Sequence, residues 1–511
     1  MIQFKEVLST KVPGQYTEFD NTRASSSSKI PWKALIIGHA SRNSGITPEL
    51  VTSAEYAVDR YGYGSQVALM VEKFKKNCSN VPVYVLPLKE KSSATAAKFK
   101  LTATITGTAK AGTLHLYVDG FYIPVSIGDS ATASDVVDAI AAAVGTTASA
   151  SSVTKWPVVA SAGTSSGGSY YTELSVKNAG TSGNYVDVRF NYNEGEHFPE
   201  GVSVAITKTA GTLETDLSDL EEAESPATPI GLNGQISSMW FNVVVCGVCG
   251  NSYNDQNLIY LKEEFERRWT ATVQKLGVVF TGYCNDSVGT SISGFYDKLN
   301  TPVLSIPNSR KFPTSPAEFA SAYAGVCAQS GSLNPVSPIG NIELKGILAP
   351  GKNDDLNFEE KGLLLDAGCP DIDCDENTRT VYVRRSVTTY TQDSMGNADD
   401  SYSQVETIFC LNDFRYGWNA KISKKYSQAG CAPDSEEFPA GVVVVTPSTL
   451  KAEAVEYFEE KQRAGMLYNK QAFVESLVCE IDETDKRRIN IVMMPDFVKQ
   501  LFVTASKVMF G

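Results

Sequence analysis

The residues whose chemistry could support catalysis are few and widely separated in this chain. Its three histidines, His39, His115 and His197, show none of the spacings that place two imidazoles on one metal ion, and no HExxH motif occurs. General acid–base and metal-dependent catalysis both need such groups held close together. The histidines therefore predict structural positions and no metal site.

Two of the ten cysteines, Cys246 and Cys249, form a CxxC motif. Redox chemistry requires such a pair at an exposed helix N-terminus, where a thiolate is stabilised. Here Cys246 lies within Phe241 to Val248, an apolar run that predicts a buried strand. The remaining cysteines are scattered, so the pattern favours buried thiols in a reducing compartment.

Two further motifs lack a required residue. The acidic run 371–375 begins like a calcium-binding loop, but Glu376 and Tyr382 stand where that loop needs Gly and Glu. The Gly/Ser-rich stretch 161–169 lacks the lysine with which a P-loop holds phosphate. We therefore predict an acidic turn and a surface loop at these places, and no catalytic, metal-binding or cofactor-binding residue.

Strands and helices alternate in two stretches of the chain. Lys33–Gly38 and Val81–Leu88 predict strands on either side of one or two helices within Leu50–Lys76. After residue 225, strands are predicted at 241–248, 278–283 and 303–307, and helices at 254–275, 291–299 and 316–329. This alternation predicts a layered α/β core with mostly parallel strands.

Between the two stretches lies a segment rich in Gly, Ser and Thr. Asp119-Gly120 predicts a β-hairpin over 113–125, and the Ala-rich run 133–144 predicts a helix. Further strands are predicted at 101–108, 172–177, 186–191 and 202–208. The pattern indicates a small β-rich domain inserted into the α/β core.

The C-terminal third combines both kinds of element. Strands are predicted at 381–385, 405–411, 441–445 and 489–494. Thr446-Pro447 predicts a helix start, followed by an apolar stripe through Leu450, Ala454, Tyr457 and Phe458. The tail from Val498 to Phe510 is apolar without a clear period.

These patterns predict an α/β and α+β multidomain protein with a layered α/β core, a β-rich insertion domain, a mixed α+β C-terminal domain and extended terminal arms. The predicted divisions are an N-terminal arm and loop (1–28), the α/β core (29–98 and 216–340), the insertion (99–215), the C-terminal domain (341–497) and a C-terminal arm (498–511).

Charge and hydropathy exclude some functions. The formal charge of −13 repels phosphate backbones, which disfavours direct nucleic-acid binding. The most apolar window, 239–250, is shorter than the roughly 20 residues of a membrane span. With no signal peptide in the first residues, we expect a soluble chain made in a cytoplasm.

A series of segments, read in order, resembles the tail-sheath proteins of Mu-like contractile phages. The segments are LKGILAP at 344–350, GLLLD at 362–366, RRSVTTY at 384–390, DSY at 400–402, VVTP at 444–447, DKRR at 485–488 and PDFV at 495–498. VPGQY at 12–16 resembles the opening of these proteins. The resemblance is strongest over 341–498, and the insertion lies where such proteins carry one.

This resemblance implies a structural subunit and no enzyme. Copies would polymerise as hexameric layers stacked into a helical sheath around an inner tail tube protein, between baseplate and tail terminator proteins. Shortening of the sheath would drive the tube through the target cell envelope. The chain would be assembled in the host bacterial cytoplasm and reside in the virion tail. The domain at 341–497 would then be the sheath assembly domain, with the insertion facing outward.

The resemblance also implies that extended terminal segments complete sheets in adjacent subunits. The candidate residues in the N-terminal arm are Tyr16, Thr17, Glu18 and Phe19. Those in the tail are Val498, Leu501, Val503, Val508 and Phe510.

Three alternatives remain open from the sequence. The same mechanics would serve the sheath of a phage-derived bacteriocin or secretion device. The Ser/Thr/Gly-rich module would also suit a surface adhesin or decoration protein. An α/β enzyme would place its site near Cys246 or at the ends of the strands predicted at 241–248 and 278–283.

Overall fold

The computed structural model describes residues 30–45, 47–146, 154–220, 231–236, 238–287, 290–436, 438–439 and 443–510. The chain divides into two compact units. The larger comprises residues 32–412 and 497–511, and the smaller comprises 1–31 and 413–496.

The strands in chain order are β1 Ala34–His39, β2 Glu49–Val51, β3 Val83–Leu88, β4 Lys98–Ile105, β5 Gly112–Val118, β6 Phe121–Ile127, β7 Val158–Ala160, β8 Thr164–Ser166, β9 Ser169–Val176, β10 Val188–Phe190, β11 Val202–Thr209, β12 Val243–Cys246, β13 Val278–Thr281, β14 Leu304–Ser305, β15 Ile342–Glu343, β16 Asp371–Cys374, β17 Val381–Arg385, β18 Gly430–Cys431, β19 Val444–Val445, β20 Leu467–Tyr468, β21 Val478–Ile481, β22 Ile489–Val492 and β23 Asp496–Phe497.

The described α-helices are α1 Ala54–Tyr61, α2 Gln66–Asn77, α3 Ala133–Val144, α4 Gly231–Gln235, α5 Gln256–Trp269, α6 Thr290–Leu299, α7 Pro316–Leu333, α8 Phe358–Asp366, α9 Val405–Tyr426, α10 Pro447–Arg463 and α11 Lys470–Ser476. The chain is therefore a mixed α/β protein, as the sequence predicted.

The centre of the larger unit is a six-stranded sheet in the order β14-β13-β12-β1-β3-β2. All neighbours pair in parallel except β2, which runs antiparallel at one edge. Residues of β1, β12 and β13 are buried throughout, because helices cover a parallel sheet on both faces. The prediction of a layered core with mostly parallel strands is confirmed.

The segment between β3 and β12 forms its own sheets. One has the order β11-β4-β9-β7, with β8 also paired to β9, and the other has the order β10-β5-β6. The helix α3 begins with a capping box in which Thr132 and Asp135 each bond the other's backbone N–H. Buried side chains of α3, β4, β5 and β6 share one apolar cluster, separate from that of the central sheet.

Residues 342–385 form a three-stranded sheet in the order β15-β17-β16. The helix α8 precedes β16 and starts with a capping box between Asn357 and Glu360. In the smaller unit, α10 begins as predicted, with the Thr446 side chain accepting from the backbone N–H of Thr449 and Pro447 in the first turn. Phe458 and Phe473 stack there at 4.4 Å between ring centroids.

Several predicted elements are wrong. Residues 405–411 are not a strand but the first turns of α9, in which Val405, Ile408, Phe409 and Asn412 are buried. These four positions follow the i, i+3, i+4, i+7 spacing of a helix, although the alternation of apolar and polar residues also fits a strand.

The remaining corrections concern segment boundaries. Leu50 belongs to β2 rather than to a helix. Thr164–Ser166, predicted as loop, forms β8 against β9. Asp371–Cys374 is the strand β16, and the acidic turn begins only at Asp375, whose carboxylate accepts from the N–H groups of the two residues Asn377 and Thr378. In each case pairing with another strand decides the conformation, since β2 pairs with β3, β8 with β9 and β16 with β17.

Candidate assembly surfaces

His39 is buried at the end of β1, where its side chain contacts two residues that follow β11. Its Nε2 lies 2.9 Å from Thr215 Oγ1 and 3.1 Å from Glu214 Oε1. Burial lowers the pKa of His39 to about 4, so the imidazole is neutral at physiological pH and its contact with Glu214 is not an ion pair. This histidine connects the central sheet to the chain that returns from β11.

The other two histidines hold loops and strands in place. His115 Nδ1 lies 2.9 Å from the Tyr122 hydroxyl across the β5–β6 pair. His197 Nδ1 lies 3.0 Å from the carbonyl oxygen of Gly195. The structure therefore keeps the three histidines apart, and within the described residues no group of three or more His, Cys, Asp or Glu side chains could hold a metal ion.

The CxxC pair is buried at the carboxyl end of β12. Contact with Cys246 and burial raise the pKa of the Cys249 thiol well above its usual value. A protonated thiol is a poor nucleophile. Both cysteines line a small cavity of about 40 Å³, together with Thr281 and Glu318. That volume is suited to water molecules and is far below the several hundred Å³ of a typical ligand pocket.

The tail after β23 forms neither a helix nor a strand over 498–510. Of the predicted tail residues, Val498 is half-buried and the others are open to solvent. The exposed fractions are 77% for Val503, 84% for Val508 and 96% for Phe510, with Leu501 similarly exposed. Several apolar side chains that are this exposed within one short segment indicate an interaction surface. Tyr16, Thr17, Glu18 and Phe19 lie outside the described residues.

Two tail residues that the sequence analysis did not single out hold the start of the tail on the larger unit. The Gln500 side chain donates to the Val336 carbonyl oxygen at 3.2 Å. The Phe502 ring stacks under the guanidinium of Arg385 at 5.1 Å. The tail thus has a fixed portion up to residue 502 and an exposed portion, 503–510. No local sequence signal marks this division, because both contacts join residues more than a hundred positions apart.

The smaller unit carries an exposed two-stranded ladder. The strands β21 and β22 pair antiparallel from Val478 opposite Val492 to Ile481 opposite Ile489. Val478 and Val492 are each about half exposed, at 51% and 47%. Within the described part of the chain no third strand joins them. Two strands alone bury little apolar surface, so a further strand would add both hydrogen bonds and burial.

Comparison with known proteins identifies what the chain is similar to. No protein-family model matches it. Across 517 aligned residues it is 29% identical to the Mu-like prophage FluMu tail sheath protein of Haemophilus influenzae, covering 100% of this chain and 99% of that protein. The resemblance to Mu-like tail sheath proteins is confirmed. It extends over the whole length, including the insertion and both termini.

Two solved structures resemble this chain in shape. A sheath tail protein from Listeria innocua is 12% identical with a TM-score of 0.46, over 93% of this chain and 97% of that one. A chain from the contracted baseplate of an anti-feeding prophage has the same identity of 12% and TM-score of 0.46, over 98% of this chain and 99% of that one. In the part of this chain that the structure describes, no helix has the length and apolar content needed to cross a membrane.

Proposed function

We propose that the chain is the structural subunit of a contractile tail sheath. Copies polymerise as hexameric layers around an inner tube, and the sheath shortens to drive the tube through a target cell envelope. The observation that carries this proposal is the 29% identity to a tail sheath protein over the whole chain. Its partners are further copies of itself, the inner tube protein, and the baseplate and tail terminator proteins. It is assembled in the bacterial cytoplasm and resides in the virion tail.

The exposed tail portion, 503–510, is the strand that each subunit donates to a neighbour. Its apolar residues Val503, Val508 and Phe510 are open to solvent in the single chain and would be covered in a polymer. Strand addition supplies main-chain hydrogen bonds between the donated strand and its acceptor. These bonds do not depend on the relative orientation of the two subunit bodies. Such a joint can persist while the subunits rotate during shortening.

The acceptor is the β21–β22 ladder of an adjacent copy. Each of its strands has four residues, from Val478 to Ile481 and from Ile489 to Val492. An extended tail of eight residues spans roughly 26 Å, whereas a four-residue strand needs only about 13 Å. The tail is therefore long enough to pair along one strand and to leave a connection to the fixed portion at Phe502.

The N-terminal residues Tyr16, Thr17, Glu18 and Phe19 remain a proposed second donor strand. We also propose that the insertion, 99–215, faces outward and that the α/β core, 29–98 and 216–340, forms the shared assembly body together with residues 341–497. Support comes from the sheets of the insertion, which pair among themselves, while β3 and β12 both pair with β1. If this is correct, replacing 99–215 by a short Gly/Ser linker leaves tubes that are narrower on the outside. A folded core that forms no tubes would contradict it.

Electron microscopy of the purified chain tests the donated strand. We expect long hollow cylinders from the wild-type protein and folded monomers from a variant that lacks 503–510. Val508→Pro should also abolish cylinders, because proline removes a backbone N–H and is excluded from a central strand. The matched control, Val508→Ala, keeps the N–H and should still polymerise.

Cylinders of normal length from both Val508→Pro and the truncated chain would refute the donated tail while leaving the sheath function intact. A wild-type protein that stays a monodisperse monomer under all conditions would refute the sheath function. Binding of a glycan or protein by that monomer would instead favour the surface adhesin.

A further inference from the structure

The turn between β5 and β6 places an acidic side chain inside the larger unit. Asp119 and Gly120 form this turn with φ angles of 51° and 80°, the positive values that a two-residue hairpin turn requires. Asp119 is almost completely buried. Its Oδ1 accepts a hydrogen bond of 2.5 Å from the backbone N–H of Ser315, the residue before α7. The inserted hairpin is thereby fastened to the N-terminus of a core helix.

A second carboxyl group meets Asp119 at this point. Glu318, in the first turn of α7, is equally buried, and its Oε1 accepts a hydrogen bond of 3.5 Å from the Ser315 hydroxyl. Both carboxyl groups therefore meet at Ser315, and both line the same small cavity. Lys73 of α2 faces them, with its Nζ 3.4 Å from Glu318 Oε2 and 2.8 Å from the carbonyl oxygen of Gly346. The cluster therefore contains two carboxyl groups and one ammonium group.

The charges of this cluster balance only if one carboxyl group holds a proton. Two ionised carboxylates beside Lys73 would leave one uncompensated negative charge in a buried place, which is strongly unfavourable. The other charged groups next to the turn compensate each other, since Arg189 Nε lies 2.6 Å from Asp187 Oδ2 on the neighbouring segment. Burial, followed by the charge of Glu318, raises the pKa of Asp119 well above its usual value.

We propose that Asp119 and Glu318 share one proton and act as a latch that fixes the inserted β5–β6 hairpin to α7. With the proton present, the two carboxyl groups bond each other beside Lys73. When the proton leaves, they repel each other and the hairpin loosens. This inference concerns a single subunit and holds whether or not the chain polymerises.

The direction of the pH effect follows from the raised pKa of Asp119. The folded chain retains this proton at pH values where the unfolded chain, with an aspartate pKa near 4, has released it. The latch is therefore fully stable in acid and weakens as the pH rises through the folded pKa. Each unit by which the pKa is raised corresponds to about a tenfold change in the equilibrium between open and closed hairpin.

Hydrogen–deuterium exchange of the full chain tests the latch. Exchange of the amides of Gly112–Ile127, corrected for the intrinsic rate, is compared at pH 5 and pH 8. We expect opening to be at least about tenfold more frequent at pH 8 in the wild type, with α10 of the smaller unit as the internal control that does not change. Asp119→Asn and Glu318→Gln each replace the shared proton by a permanent amide hydrogen and should remove the pH dependence.

Equal protection of the wild-type hairpin at both pH values would overturn the proposal without any variant. An undiminished pH dependence in a folded Asp119→Asn or Glu318→Gln protein would overturn it as well. A hairpin that loosens together with α10 would show general unfolding and would also count against the latch.

Discussion

Replacing His39 should change how the stability of the larger unit depends on pH. The imidazole is fully buried at the end of β1, and burial lowers its pKa to about 4. In the unfolded chain a histidine titrates near pH 6.5. Between these values the unfolded chain binds a proton that the folded chain does not. The free energy of unfolding must therefore fall as the pH decreases from 6.5 towards 4.

The size of this effect follows from the two pKa values. A shift from 6.5 to about 4 destabilises the folded chain by about 2 kcal/mol at pH 5, and by on the order of 3 kcal/mol below pH 4, relative to neutral pH. Urea unfolding of the wild type and of His39→Gln at several values between pH 5 and 7.5 measures it. The glutamine can still bond Thr215 or Glu214 but does not titrate, so this contribution should disappear from the variant.

The comparison isolates His39 because the other titrating groups stay in both proteins. Glu214, whose pKa burial raises, contributes with the opposite sign in each. If the free energy of unfolding depends on pH in the same way in the wild type and in His39→Gln, the imidazole of His39 is not held neutral by burial, and this reasoning is refuted.

Four further substitutions test the packing within each of the two units. Arg268 is buried, and its guanidinium bonds Glu264 at 2.8 Å and two backbone carbonyls, so Arg268→Met should lower the free energy of unfolding by about 3–5 kcal/mol. Arg267 is 52% exposed and bonds the same carboxylate, so Arg267→Met should lower the free energy of unfolding by less than about 1 kcal/mol. Similar losses from Arg268→Met and Arg267→Met would contradict this reasoning. Thr446→Ala removes the cap of α10 and should cost about 1 kcal/mol in urea unfolding, whereas no change would show that the cap does not stabilise the helix. Phe458→Ala should cost about 3–5 kcal/mol and lower the melting temperature of the smaller unit, and an unchanged melting temperature would contradict the packing against α11.

The central sheet was predictable because its strands carry their own signal. Runs such as that of β1 are apolar at successive positions, since both faces of a parallel sheet are buried. The hairpin at Asp119-Gly120 was predictable because few residue pairs accept two positive φ angles. The start of α10 followed from Thr446 and Pro447, whose preferences are equally local. Each of these predictions depends on neighbours in sequence.

The features that sequence analysis missed depend on distant contacts. Glu406 is buried in α9 because it accepts hydrogen bonds from the backbone N–H of Ile339 and the hydroxyl of Ser386, which no local pattern reveals. The fixed portion of the tail likewise depends on Arg385, far away in sequence. The candidate donor residues in the tail followed from the resemblance to tail sheath proteins, and the structure adds that Leu501, Val503, Val508 and Phe510 are exposed.

Helical reconstruction of the wild-type polymer by cryo-electron microscopy tests the central proposal most directly. We expect a hollow sheath with hexameric layers in which residues 503–510 of each copy lie beside the β21–β22 ladder of an adjacent copy. A polymer in which this tail packs on its own subunit would contradict the donated strand. An absence of any hollow assembly would contradict the sheath function itself.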